Sequence, residues 1–235
     1  MNIQDIRKEL QTVKNTEKAK ILARFFKTGK GEYGEGDIFL GITVPDQRKV
    51  AEKYKDLNLG DLQELLNSRI HEERLIALLI LTYQFRGAKE NERKTIFYFY
   101  LKNTKKINNW DLVDLSAPNI VGRYLLDKDR EILYKLTKSN NLWEKRISML
   151  ACFVFIKEND FKDALKISEL LICDKHDLIH KAVGWMLREI GKRSQEQEEN
   201  FLKKYYKNMP RTMLRYAIEK FPEKLRRNYL NGEIK

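Results

Sequence analysis

The chain is poor in residues that break helices. Its 235 residues include only four prolines and eleven glycines. Those are the two types that cost a helix interior most, about 3 and 1 kcal/mol relative to alanine. Long Leu/Lys/Glu/Ile runs fill the space between them, so the reading is an almost wholly helical, all-α protein. Cysteine is scarce as well. Cys152 and Cys173 form no CxxC, which argues against a disulfide framework and makes a reducing compartment the default. Cys152 lies in an apolar run and reads as a buried free thiol. The longest apolar runs, such as Leu75 to Leu81 and Met149 to Ile156, fall far short of the ~20 residues a membrane span needs. Met1-Asn2-Ile3-Gln4-Asp5 has no basic-then-apolar leader pattern. The expectation is a cytoplasmic, monomeric protein with no membrane association. Histidine is the third scarcity. His71 opens HEERL, which lacks the second histidine of HExxH, and His176 and His180 have no evident third ligand. Neither a metal nor a cofactor is expected.

What the chain has in excess is positive charge. The net charge is +12, and charged residues make up 34% of the sequence. From Lys181 to Lys235 there are fourteen Lys/Arg against seven Asp/Glu, so more than half of the excess sits in the last quarter. Such one-sided charge suits a polyanion, although a solvated lysine face gives the same count.

The hydrophobic pattern organises this material. Ile6, Leu10 and Val13, then Ala19, Leu22, Ala23 and Phe26, fall at helical spacing, which predicts one or two amphipathic helices over 3–28. Thr16 is a plausible helix start, and Pro45 stands at the start of the next helix, over 46–54. Between them, Gly29, Gly31 and Gly34 formally spell GxGxxG. A helix rather than a strand precedes them, and Glu32 and Glu35 would repel a pyrophosphate, so 28–37 reads as a flexible surface loop. Arg74, Trp110, Arg146, Lys181 and Arg215 recur at gaps of 36, 36, 35 and 34. Each opens a helix with apolar residues at i+3, i+4 and i+7, behind a shorter, more polar helix. Helix pairs at this period stack into a curved solenoid. The expected organisation is one domain over 1–235, with N-terminal helices and the Gly-rich loop over 1–60, helix-pair repeats over 61–230, and a polar tail after Leu230-Asn231-Gly232 closes the last helix. In a curved solenoid the second helices line the concave side. The five recurring positions would then form a basic groove with an aromatic near its middle, a geometry suited to duplex phosphates.

Two stretches carry candidate chemistry. In Asn108-Asn109-Trp110-Asp111-Leu112-Val113-Asp114, Trp110 and Asp114 share one helix face a turn apart, with Leu112 and Val113 pointing elsewhere. An indole beside a carboxylate suits a flat cationic ligand, although a core tryptophan with a solvated aspartate has the same spacing. In His180 to Lys192, Lys181, Trp185, Arg188 and Lys192 form a second stripe with apolar residues behind it, and Gly184 would allow another backbone to approach closely. Trp143, Ile147 and Leu150 make an apolar stripe that reads as core, with Arg146 beside it, able to reach a phosphate or hold a carboxylate.

The ordered set NWDLVD (109–114), LWEKRISML (142–150) and HKAVGWMLRE (180–189), with FLGITVP (39–45) after the Gly-rich loop, resembles the AlkD family of bacterial DNA alkylation repair glycosylases. The likeness covers nearly the whole chain. It implies a HEAT-like helical solenoid that excises cationic N3- and N7-alkylated purines from duplex DNA in base excision repair, leaving the base stacked or nearly so. By motif, Trp110 and Trp185 would cradle the lesion-bearing deoxyribose, Asp114 would be the catalytic carboxylate, and Arg146 and Arg188 would hold phosphates. Lys181, Lys192 and Arg48 are further candidates for phosphate contact. Some relatives carry a second tryptophan directly before the first; here that position is Asn109. No lysine beside Asp114 suggests a Schiff base, so strand cleavage is not expected. A non-catalytic HEAT-like binder of damaged or branched DNA needs only the basic groove and stands as the alternative. A protein–protein scaffold is disfavoured by the Trp110/Asp114 and Trp185/Arg188 pairings.

Overall fold

The structure is a computed structural model that describes residues 2–234. Among those residues there are fourteen α-helices and no strand. The chain divides into two compact units, Met1–Ile120 and Val121–Lys235.

The first unit holds α1 (Ile3–Val13), α2 (Thr16–Phe25), α3 (Val44–Lys53), α4 (Leu59–Leu66), α5 (His71–Gly87), α6 (Glu90–Lys102) and α7 (Trp110–Ala117). Asparagine side chains start several of them. Asn2 forms a capping box with Asp5, and Asn15 and Asn58 accept from the amides of Lys18 and Asp61. Each such cap is worth ~1 kcal/mol to a helix start. Pro45 sits at the beginning of α3, where its missing N–H leaves no bond unmade. At the centre is α5, which packs on α3, α4, α6 and α7. Its run from Leu75 to Leu81 is at most 1% exposed, and each large apolar side chain there contributes about 1.5–3 kcal/mol by leaving water.

The second unit holds α8 (Glu131–Thr137), α9 (Leu142–Lys157), α10 (Lys162–Leu171), α11 (Asp177–Gly191), α12 (Gln195–Tyr205), α13 (Arg211–Ala217) and α14 (Glu223–Asn231). Here the repeat is plain. Each of α9, α11 and α13 follows a partner helix, and the three pack in series, α9 on α11 and α11 on α13. The first helices of two pairs, α8 and α10, also touch. Arg146, Lys181 and Arg215 each occupy the fifth residue of their helix, as a true repeat requires. Cys152 and Trp143 are buried as expected, and Gly232, at φ 80°, closes α14 in the left-handed conformation.

Three expectations need correction. The first helix of each pair is not always the shorter: α12 has 11 residues against 7 for α13. Phe221-Pro222 stops the short 3₁₀ turn after α13, whereas Pro118 does not end the helical run that α7 begins, which continues as a π-helix over Pro118–Gly122. Arg74 does not line an open face. It is 3% exposed, with its guanidinium on Asp37 Oδ2 at 2.5 Å and on the Ser68 carbonyl at 2.8 Å. The glycine-rich stretch is not simply a surface loop either. Gly31 and Gly36 turn it with positive φ, but Gly34 is pressed against the backbone of Phe26, and Asp37 anchors the far end to α5. Beyond Asp37, the buried Glu72 carboxylate accepts from the amides of Leu40, Gly41 and Ile42.

Candidate functional site

On α7 the sequence folds as its spacing predicts. Asn109 accepts from the Trp110 amide and opens the helix. Leu112 and Val113 are fully buried, while Trp110 and Asp114 are half-buried on the remaining face. Beneath them the Tyr100 hydroxyl is hydrogen-bonded to Ser116 Oγ at 2.9 Å. Burial pushes that phenol well above its ordinary range, with the nearby Asp114 charge adding to the effect.

A stacked column that the sequence alone does not disclose supports Trp110. The indole lies on Phe26 with centroids 5.1 Å apart, Phe26 lies on Phe39 at 5.0 Å, and Phe39 lies on the imidazole of His71 at 4.5 Å. Phe25, largely exposed on α2, meets Trp110 edge-on at 5.8 Å. The His71 ring is 2.8 Å from Asp111 Oδ2 through Nε2 and 3.3 Å from Asp37 Oδ2 through Nδ1. Burial pulls the His71 pKa down, but the charge and hydrogen bond of Asp111, with the Asp37 hydrogen bond, more than reverse this and raise it to about 9. His71 is therefore an imidazolium at neutral pH and donates to both carboxylates. Arg74 and Asn108 hold Asp37 from its other sides, and Asp37 is kept below the usual carboxylate range by its cationic neighbours despite burial. Sequence reasoning placed Asp111 beside Trp110 and singled out HEERL, but only tertiary packing joins them.

In the second unit, α11 turns Ile179, Val183, Met186, Leu187 and Ile190 inward. Lys181, Trp185 and Arg188 stay half-buried and Lys192 exposed, so the predicted stripe exists. Its charge is more balanced than expected. Lys181 pairs with Asp177 at 2.6 Å, Lys192 with Glu189 at 2.6 Å, and Arg188 with Glu219. Glu189 Oε1 also accepts from Trp185 Nε1 at 3.0 Å. The first two pairs were legible as i,i+4 and i,i+3 spacings, whereas the α11–Glu219 pair was not. Gly184 does what its lack of a side chain allows: a Cβ there would lie 2.4 Å from the Met213 carbonyl oxygen of α13. Arg146 is buried at 4% exposure and donates to the Leu178 carbonyl at 2.6 Å. Arg48 is exposed on α3 in the first unit. Glu198 of α12 is 2% exposed and lies on Gly191. Burial, assisted by the charge of Glu199 and opposed by that of Arg188, lifts its pKa to about 9.

Comparison with known proteins gives a consistent picture. The sequence model of the family described as DNA alkylation repair enzyme matches residues 6–221. A solved structure described as a predicted DNA alkylation repair enzyme from Enterococcus faecalis is 15% identical with a TM-score of 0.68, covering 89% of this chain and 97% of that one. AlkD2 from Streptococcus mutans is 18% identical with a TM-score of 0.58, covering 88% and 99%. The smu.31 protein from Streptococcus mutans UA159 is 18% identical with a TM-score of 0.56, covering 88% and 100%. No curated protein shows significant sequence similarity to the chain. No helix among the described residues is long and apolar enough to cross a membrane.

Proposed function

The chain belongs to the DNA alkylation repair enzyme family, and on that premise we propose that it is a monofunctional glycosylase releasing cationic N3- and N7-alkylated purines from duplex DNA. The observation that carries this reading is the shared face of α7: Trp110 and Asp114 stay accessible while the residues between them are buried. A purine alkylated at N7 or N3 is already cationic. When its bond to C1′ breaks, the bonding electron pair goes to the base, which leaves neutral without a general acid. Positive charge passes to the sugar. A carboxylate ~4 Å from that charge is worth about 4 kcal/mol at an effective dielectric of 20, near a thousandfold in rate. Water then adds to C1′ and loses a proton, for which Asp114 is the base. Indole faces contribute about 0.5–2 kcal/mol of cation–π attraction to the same charge.

In this reading Trp110 and Trp185 cradle the deoxyribose. Arg188, Lys181, Lys192 and Arg48 take backbone phosphates, exchanging their present carboxylate partners for them where they have one. Arg146, buried on the Leu178 carbonyl, acts by holding the start of α11 and with it Lys181. The test is incubation with methylated duplex followed by scoring of free base and heat-labile abasic sites. Asp114→Asn is expected to lose most base release while binding DNA as wild type does. An Asp114→Asn variant as fast as wild type refutes the mechanism. Duplex binding by wild type without base release favours the non-catalytic alternative.

A further inference from the structure

The stacked column and the ion cluster of the first unit close into a ring. It runs from Trp110 through Phe26 and Phe39 to His71, and from His71 to Asp111, the residue next to Trp110. We propose that His71 is a positioning residue for the lesion site, its imidazolium joining the aromatic support of Trp110 to the first turn of α7 and so fixing where Trp110 and Asp114 are presented. The proposal rests on the glycosylase reading for what those two residues do, but not for how they are held.

Three observations support it. His71 touches both ends of the path, stacking on Phe39 and bonding to Asp111. Asp111 has its other oxygen on the Leu112 amide, 2.9 Å away, so it is locked to the helix that carries the site. Through Nδ1, His71 also reaches Asp37 at the end of the glycine-rich loop, and its amide donates to the Ile38 carbonyl at 2.9 Å. The loop, the column and α7 thus converge on one ring. The charged groups facing it are Asp111 of α7, Asp37 of the loop and Arg74 of its own helix. Only the protonated ring can donate to both carboxylates, because neutral imidazole carries a single N–H. Loss of the proton, near pH 9, releases one of the two bonds.

The experiment is a pH series on the full chain, from below the ordinary histidine range to above 9, with two readouts. One is single-turnover base release from methylated duplex, with uncatalysed alkaline release subtracted. The other is Trp110 fluorescence, isolated by subtracting the spectrum of Trp110→Phe. Wild type is expected to show a common midpoint near 9 in both. His71→Gln should lose that midpoint and, at neutral pH, lose base release on the order of a hundredfold, the cost of a misplacement of about 1 Å, while still binding duplex. Asp111→Asn removes the facing charge and should move the midpoint to lower pH, and it decides the question if His71→Gln does not fold. An unmoved midpoint in Asp111→Asn, or a His71→Gln protein as active as wild type at neutral pH, overturns the proposal. If wild type releases no base at any pH, the glycosylase reading fails. The fluorescence midpoint and its shift in Asp111→Asn still decide the role of His71.

Discussion

Replacing Glu198 by glutamine should make the protein more stable at neutral pH. Glu198 is 2% exposed on α12, packed on Gly191, and one of its oxygens, Oε1, has no hydrogen-bond partner. Its pKa is lifted from the ordinary 4.5 to about 9, so the folded chain keeps the proton at neutral pH while the unfolded chain releases it. A raised carboxylate pKa therefore makes stability fall as pH rises between those two values, by about 1.4 kcal/mol per pH unit. At pH ~7 the cost is on the order of 3 kcal/mol. Glutamine has the same shape and never ionises, so Glu198→Gln removes that cost at neutral pH and changes little at or below 4.5. For a chain of this size each kcal/mol moves the melting temperature by about 2–4 °C, so the variant should melt roughly 6–12 °C higher near neutrality. Thermal melts followed by far-UV circular dichroism at acidic, neutral and mildly alkaline pH measure this directly. An advantage that does not grow with pH, or a variant that melts lower than wild type at neutral pH, refutes the reasoning.

Gly184→Ala should destabilise the second unit and displace Trp185. The added Cβ would sit 2.4 Å from the Met213 carbonyl and 2.5 Å from Tyr216 Cβ, and overpacking of this kind costs about 1–3 kcal/mol. Lowered thermal stability with altered Trp185 emission is the expected result. Glu219→Gln should release Arg188 from its ion pair. Such partly exposed pairs are worth about 0–1 kcal/mol, so duplex affinity at low salt should rise by up to about fivefold, and fluorescence anisotropy with labelled DNA reads the change. A weaker affinity would mean that Arg188 does not contact phosphate.

What the sequence disclosed and what it hid follow one physical division. Helix-forming runs, the 34- to 36-residue period and the face shared by Trp110 and Asp114 are properties of near neighbours, and they were readable from spacing. The burial of Leu112, Val113, Trp143 and Cys152 followed from the same apolar periodicity. The partners of charged groups that lie far off in the chain did not. Arg74 looked like one more cation on an open face, yet it is sealed against Asp37, 37 residues earlier in the chain. Arg188 looked free for phosphate, yet it meets Glu219, 31 residues later. His71 carried no recognisable motif because its role depends on Asp37, Phe39 and Asp111, brought together only when the loop closes onto α5. Long-range pairing of ions leaves no period in a sequence.

The cradle around Glu72 has a chemical consequence of its own. Three successive main-chain N–H groups, at 40, 41 and 42, converge on one carboxylate. The same concavity of amides elsewhere grips a phosphate or sulfate. Here the chain supplies its own anion from inside, so the nest is filled before any solute arrives. A phosphate approaching this part of the chain therefore finds the nest already occupied by Glu72.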